Sequence, residues 1–147
     1  MRSWRIRSLA FVLLAAVAAC GGRTGSTGGV RPAGAPAQVV EQFMRLVAAK
    51  DYARMGAVFG TREGPIASRD PQQQVERRMY AIAEILKNTR FVIRGEQAIP
   101  GRSDAEQITV QLTQETRTVD VPFVVVRTAE GGWLVEQVDL EAVTKRQ

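Results

Sequence analysis

Few side chains in this sequence could carry chemistry, and their types narrow that chemistry at once. There is one cysteine, Cys20, and no histidine. A lone Cys cannot close an intramolecular disulfide, and the usual zinc constellations need His or further Cys. No run of alternating Asp and Asn builds an oxygen-only calcium site, so neither a metal nor a cofactor is expected. Carboxylate and phenol chemistry remains. A buried carboxyl with a raised pKa beside a Tyr donor could move a proton in an isomerase-like step. The candidates are Asp120 and Asp139, each read within a strand, and the tyrosines Tyr52 and Tyr80, each read on a helix. Trp133 and the apolar strand before it are candidates for a partner surface.

Each of these has a structural alternative. Asp120 and Asp139 suit the outward face of a sheet, Tyr52 suits a core position with its hydroxyl satisfied, and Tyr80 suits a boundary. Trp133 has a plain core role open to it. Asp51 and Asp70 read as helix caps, and Glu41, Glu76, Glu84 and Glu106 as solvated faces. Gly60-Thr61-Arg62-Glu63-Gly64 lacks the spacing of a phosphate-binding loop, and Arg77-Arg78 reads as a charged helix face.

The elements that must position these groups follow from periodicity. Val39, Val40, Phe43, Met44 and Val47 recur at helical spacing and predict a helix over Pro36–Ala49. Asp51 caps a second, short helix with Tyr52, Met55, Val58 and Phe59 on one face, ending at Gly60. A loop follows over 61–69, with a short strand around Ile66. For the third helix, Asp70 is the expected N-cap, Pro71 the first helical residue and Gln73 the capping-box partner. Its apolar stripe is Val75, Met79, Ile82 and Leu86, with Asn88 as the stop.

After Asn88 the period changes to alternation. Phe91 and Ile93 open a strand that ends at Pro100-Gly101, and Gln107–Thr113 alternates with Ile108, Val110 and Leu112 inward. Thr118–Arg127 and Trp133–Leu140 complete an antiparallel meander, separated by Glu130-Gly131-Gly132. The expected class is α+β, with three N-terminal helices packed on a curved antiparallel sheet of about four strands. The strand Thr118–Arg127 is apolar on both faces through Val124 and Val126, yet holds Pro122, which removes a ladder donor. A bulge or an edge hidden in a homodimer would reconcile these, and the bulge is preferred.

Charge and the N-terminus place the domain. The formal charge of +5 includes Arg2, Arg5 and Arg7. Without them 17 basic residues (20 minus 3) face 15 acidic ones, which makes no electrostatic case for nucleic acid. Met1–Arg7 is basic, Ser8–Ala19 is apolar and uncharged, and small residues precede Cys20. These are the parts of a secretory signal over 1–19, and the apolar run is shorter than the ~20 residues that span a bilayer. Residues 20–35, rich in Gly, Ser and Thr, read as a flexible tether before the domain at 36–147.

Val17-Ala18-Ala19-Cys20 resembles the lipobox of bacterial lipoproteins. The resemblance implies cleavage between Ala19 and Cys20, a lipid on Cys20, and anchorage in the bacterial cell envelope. Gly21 after the Cys resembles lipoproteins of a Gram-negative outer membrane facing the periplasm. The helices-then-sheet layout, with Lys50-Asp51-Tyr52 between the first two helices and Gly131-Gly132-Trp133 in the last hairpin, is similar to the nuclear-transport-factor-like superfamily, the cystatin-like α+β cone. That family implies a cone-shaped pocket whose members include ketosteroid isomerase, dehydratases and non-catalytic binders. Three functions stay open: a tethered module binding a small apolar ligand or an envelope protein without catalysis, a small carboxylate enzyme, or an assembly subunit whose cone is filled.

Overall fold

The computed structural model describes residues 34–145. The expected signal, the Ala19–Cys20 cleavage point, the lipidation site and the tether through residue 33 lie outside the described residues.

Helix α1 is Pro36–Ala49, the bounds its periodicity predicts. Pro36 fits the first turn, where its missing N–H would have no intrahelical acceptor. Lys50 ends the helix in the left-handed region (φ 54°), its N–H returning to the carbonyls of Leu46 and Val47. Asp51 then caps α2 (Tyr52–Val58), accepting from the Arg54 N–H at 3.1 Å. The helix stops at Val58 and not at Gly60, because Phe59 turns extended and bridges to Val135. Gly60 instead opens a two-residue strand, β1 (Gly60–Thr61), paired with β2 (Gly64–Pro65). A Cβ on Gly60 would lie 2.3 Å from the Gly64 carbonyl oxygen, so only glycine permits this hairpin. Ile66, expected in a strand, lies in the 3₁₀ turn Ile66–Ser68, with its side chain buried.

Helix α3 is Gln72–Ile85. The expected capping box is not formed. Pro71 is extended (φ −57°, ψ 136°) and precedes the helix, and no side chain caps it. The Asp70 carboxylate instead meets Arg78 at 3.4 Å, one helical face further on. The stripe is as expected: Val75, Met79, Ile82 and Leu86 are all buried. Asn88 donates to the Leu86 carbonyl at 2.8 Å, closing the helix end.

The sheet runs in the order β3 (Arg90–Ile99), β4 (Arg102–Thr113), β5 (Thr118–Arg127), β6 (Trp133–Val138), with every neighbour antiparallel. Pro122 sits comfortably in central β5. Its carbonyl accepts from the Asp139 N–H at 2.9 Å, so its ring nitrogen faces that same side, where β6 has already ended. Pairing with β4 therefore loses nothing, and the β4–β5 register runs unbroken through Thr109↔Pro122. The bulge lies on the partner strand: Val124 pairs with Gln137 and Val125 with Val135, leaving Glu136 as the extra residue of β6. The last strand also ends early. Asp139 is not in a strand; it caps a fourth helix, α4 (Leu140–Thr144), accepting from the Ala142 N–H at 3.2 Å.

The class is α+β with a four-stranded antiparallel sheet, but the helices are not three N-terminal ones laid on it. There are four α-helices among the described residues, the last of them after the sheet. Helix α1 lies across all the long strands, α2 reaches β6, and α3 packs on α2 and α4. Phe43 of α1 and Phe123 of β5 form the centre, both fully buried, with ring centroids 6.3 Å apart in an edge-to-face pair. Around them Met44, Met55, Met79, Leu86, Ile108 and Leu112 close the interior.

Val126 and its cross-strand neighbours Ala105 and Leu134 are buried too, yet stand outside that cluster. By alternation they occupy the other face of the sheet, which explains the doubly apolar strand. The Arg102 guanidinium meets the Glu136 carboxylate at 2.7 Å, bridging β4 to β6 across β5 at this end.

Candidate functional site

A catalytic interior would hold a polar group in reserve. None of the polar or charged residues described is buried, and among the described residues no buried side-chain N or O atom lacks a hydrogen-bond partner. The space between α1 and the sheet is taken by Phe43, Met44, Phe123 and their neighbours. Among the described residues no group of three or more His, Cys, Asp or Glu side chains could hold a metal ion.

The sequence-derived candidates do not converge. Asp120 lies on β5 on the face away from the core, exposed, and accepts from the Gln111 amide at 3.1 Å. Asp139 is occupied by its cap. Trp133, paired with Arg127 at the start of β6, is 8% exposed and belongs to the core. The tyrosines do meet: Tyr52 of α2 and Tyr80 of α3 form an edge-to-face pair at 5.6 Å. Tyr52 packs against the core, whereas Tyr80 is 51% exposed, the most open of the large apolar side chains among the described residues. Asp120 and Asp139 are bonded to Gln111 and to the Ala142 N–H, not to either phenol, so they and the tyrosines do not assemble the phenol–carboxylate pair of an isomerase-like site.

Among the described residues, two surface depressions gather polar side chains. The larger, about 860 Å³, lies where α1, α3 and α4 end around the β4–β5 turn, lined among others by Lys50, Lys87, Asn88, Gln114 and Arg117. Its polar groups are turned on one another. Gln114 donates to the Lys87 carbonyl at 2.9 Å and accepts from Arg117, whose guanidinium also caps the carbonyls of Val143 and Lys145. Lys87 pairs with Glu84 at 2.5 Å, and that carboxylate holds its ammonium above the ordinary range. These bonds tie the turn to the helix ends. The second depression, about 560 Å³, lies between the β1–β2 hairpin and the β5–β6 turn, with Leu134, Ala57 and Pro65 beside Arg62, Glu63 and Arg69. Glu63, fully exposed, is held below the usual carboxylate range chiefly by the Thr61 hydroxyl, which Arg69 also meets at 3.2 Å. The Gly60–Gly64 segment is thus a self-bonded hairpin.

Glu106, which its sequence context suits to a solvated face, stands near a second carboxyl, Glu96. Glu106 is held above the ordinary carboxylate range, first by burial and then by the hydrogen bond and charge of Glu96. Counting outward from the Ile99↔Arg102 pair would set Glu96 opposite Ala105. The irregularity after Ala98 shifts the register, so that Glu96 pairs with Ile108 and Ala98 with Glu106, and the two acids share one face. No sequence signal marks that shift. Among the described residues the pair belongs to no group of three or more His, Cys, Asp or Glu side chains, so it perturbs titration without making a metal site.

Comparison with protein-family models, with characterised proteins and with solved structures finds no match to this chain.

Proposed function

We propose that residues 34–145 form the non-catalytic, partner-binding head of a lipoprotein held in the bacterial envelope through Cys20. The observation that carries the head's role is the contrast between its interior and its far sheet face. The interior is filled by its own side chains, and the aspartates that catalysis could use are exposed or spent on a cap. On the far face of β3, β4 and β5, Val92, Thr109, Gln111, Asp120, Pro122 and Val124 all keep contact with solvent. A protein partner therefore suits this fold better than a small apolar ligand, which would need the interior. In this reading the sheet curves around α1 as in the nuclear-transport-factor-like cone, with the cone closed. The anchor rests on the signal-like residues 1–19 and Val17-Ala18-Ala19-Cys20; two or three acyl chains hold a protein to a membrane stably where one does not.

Two measurements test the reading. Cys20→Ser should abolish lipid labelling and shift the protein out of the membrane fraction; persistent membrane association removes the anchor. A photo-crosslinker at Gln111, on the far face, should give a protein adduct in intact cells, while one at Arg77 on α3 should not. Absence of an adduct at both positions contradicts the partner-binding head.

A further inference from the structure

Helix α1 ends on a residue that its backbone does not suit. Among the described residues Lys50 is the one non-glycine residue with a positive φ (54°), a conformation that helix ends usually give to glycine. The negative end of α1 favours a cation there, but not a left-handed one. The side chain is not needed to close the helix. The N–H groups of Lys50 and Asp51 already take the Val47 and Leu46 carbonyls, both at 3.1 Å. Nor does it complete an ion pair, since Glu41 and Asp51, the acids nearest in the chain, pair with Arg45 and Arg54. Lys50 is exposed and lines the depression of about 860 Å³. Two other cations of that lining are engaged, Lys87 by Glu84 and Arg117 by the Val143 and Lys145 carbonyls. An aromatic pair stands at the rim. Tyr80, Glu84 and Lys87 follow one side of α3 and its end at helical spacing, and Tyr52 begins α2 just after Lys50. Glu84 first, then the two phenols, favour the charged Lys87 ammonium, which sets both rings beside the depression.

We infer that this depression binds an anionic sugar chain, with Lys50 taking a carboxylate and Tyr80 stacking on a sugar ring. The inference goes beyond the protein-partner reading and uses another surface. Charge sets the sign of the ligand: among the described residues Lys50, Lys87 and Arg117 line the depression against one acid, Glu115. Hydrogen-bonding chemistry sets its class. Asn88, Thr89, Gln114 and Thr116 carry amides and hydroxyls that donate and accept, as the hydroxyls of a sugar do. A sugar ring also has an apolar face, and Tyr80 offers it an aromatic plane that is 51% exposed and held edge-to-face by Tyr52 at 5.6 Å. A fatty chain would need an apolar enclosure, which this polar lining does not give. Size favours a chain over a single ring, since about 860 Å³ is near the top of the roughly 300–1,000 Å³ usual for ligand sites. Position agrees. The 14 residues of α1, about 21 Å of helix, separate the depression from residue 34, so a tether from Cys20 holds the domain by the opposite end. That placement rests on the anchor; the chemistry of the depression does not.

The test uses the full lipidated chain in mild detergent, titrated calorimetrically with an oligosaccharide of alternating N-acetylated and carboxylate-bearing sugars. The unsubstituted chain should bind it, and more weakly as salt rises. Lys50→Gly should weaken binding about tenfold or more while leaving the thermal midpoint unchanged or higher, because glycine suits the left-handed backbone. A lysine with a structural role alone would do the reverse, lowering the midpoint and sparing the binding. Tyr80→Ala should weaken binding to a similar degree with far-UV circular dichroism unchanged, and Arg77→Ala should not. No binding by the unsubstituted chain overturns the inference, as does binding that survives Lys50→Gly. Equal affinity for an uncharged N-acetylglucosamine oligosaccharide overturns the anionic class, and equal affinity for inorganic phosphate overturns the sugar. A Gln111 crosslinker that finds no protein while the acidic sugar binds removes the partner reading and leaves this one standing.

Discussion

Strand β5 presents two surfaces that differ in kind. Toward the helices it shows Val121, Phe123 and Val125, all fully buried. Toward the other side it shows Asp120, Pro122 and Val124, none of them buried, before Val126 at its end is covered beside Ala105 and Leu134. The residues alternate along one backbone, so local conformation cannot account for the difference; what packs on each side does. The helix-facing side supplies most of the apolar area that offsets chain entropy, and it leaves no space for a ligand. From Asp120 to Val124 the open side supplies little to stability and is free to make contacts.

Breaking the inner side should cost most. Phe123→Ala removes a ring seated against Phe43 and should lower stability by about 3–5 kcal/mol, enough to unfold much of a domain this small. Urea unfolding followed by circular dichroism reads this directly. Next comes the α2–α3 contact. A Cβ at Gly56 would stand 2.2 Å from Val75 Cγ1, a branched side chain with little room to yield. Gly56→Ala should cost about 1–3 kcal/mol although alanine is the better helix former.

The caps separate two aspartates that look alike in sequence. Asp139→Ala should cost about 0.5–2 kcal/mol, because its carboxylate caps α4. Asp70→Ala should cost at most about 1 kcal/mol, because it loses only an exposed pair with Arg78. Equal losses at the two positions would mean that the Asp70 side chain caps α3 after all.

The smallest effect depends on pH. Glu106 has a raised pKa in the fold, so between its ordinary and its folded pKa the native state holds more protons than the unfolded one. Stability through this group therefore falls as pH rises from the ordinary carboxylate range, and the penalty is complete above the folded pKa. Glu106→Gln should raise the thermal midpoint at neutral pH. That gain should vanish once the pH is below the ordinary Glu range, where both states are protonated. A gain that is independent of pH would assign the effect to packing.

Much of the fold could be read from the chain before any coordinates. The bounds of α1 and of β5 agree with the periodicity, because an uninterrupted apolar stripe or alternation marks both ends. What was illegible lay where one local choice competes with another. Asp70-Pro71 has the composition of a helix start, but Pro71 stays extended and Arg78 draws the carboxylate away. Alternation carries the last strand on to Leu140, whereas the Glu136 bulge and the Asp139 cap turn the chain into α4, five residues long and too short to show a period. The site was less legible still. Sequence context puts Asp120 and Asp139 in strands, and Asp139 is in none. Glu106 reads as a solvated face in sequence because its nearness to Glu96 depends on a register shift.

The division between the two faces of β5 is tested most directly by equilibrium unfolding of the double variant Thr109→Lys/Gln111→Lys, at a dilution where association no longer adds to stability. The expected result is a shift within about 0.5 kcal/mol of the unsubstituted chain for each change, since neither side chain is buried on the core side. A loss comparable to that of Phe123→Ala would mean that the far face helps hold the fold together, and the separation of a holding face from a contacting face would be wrong.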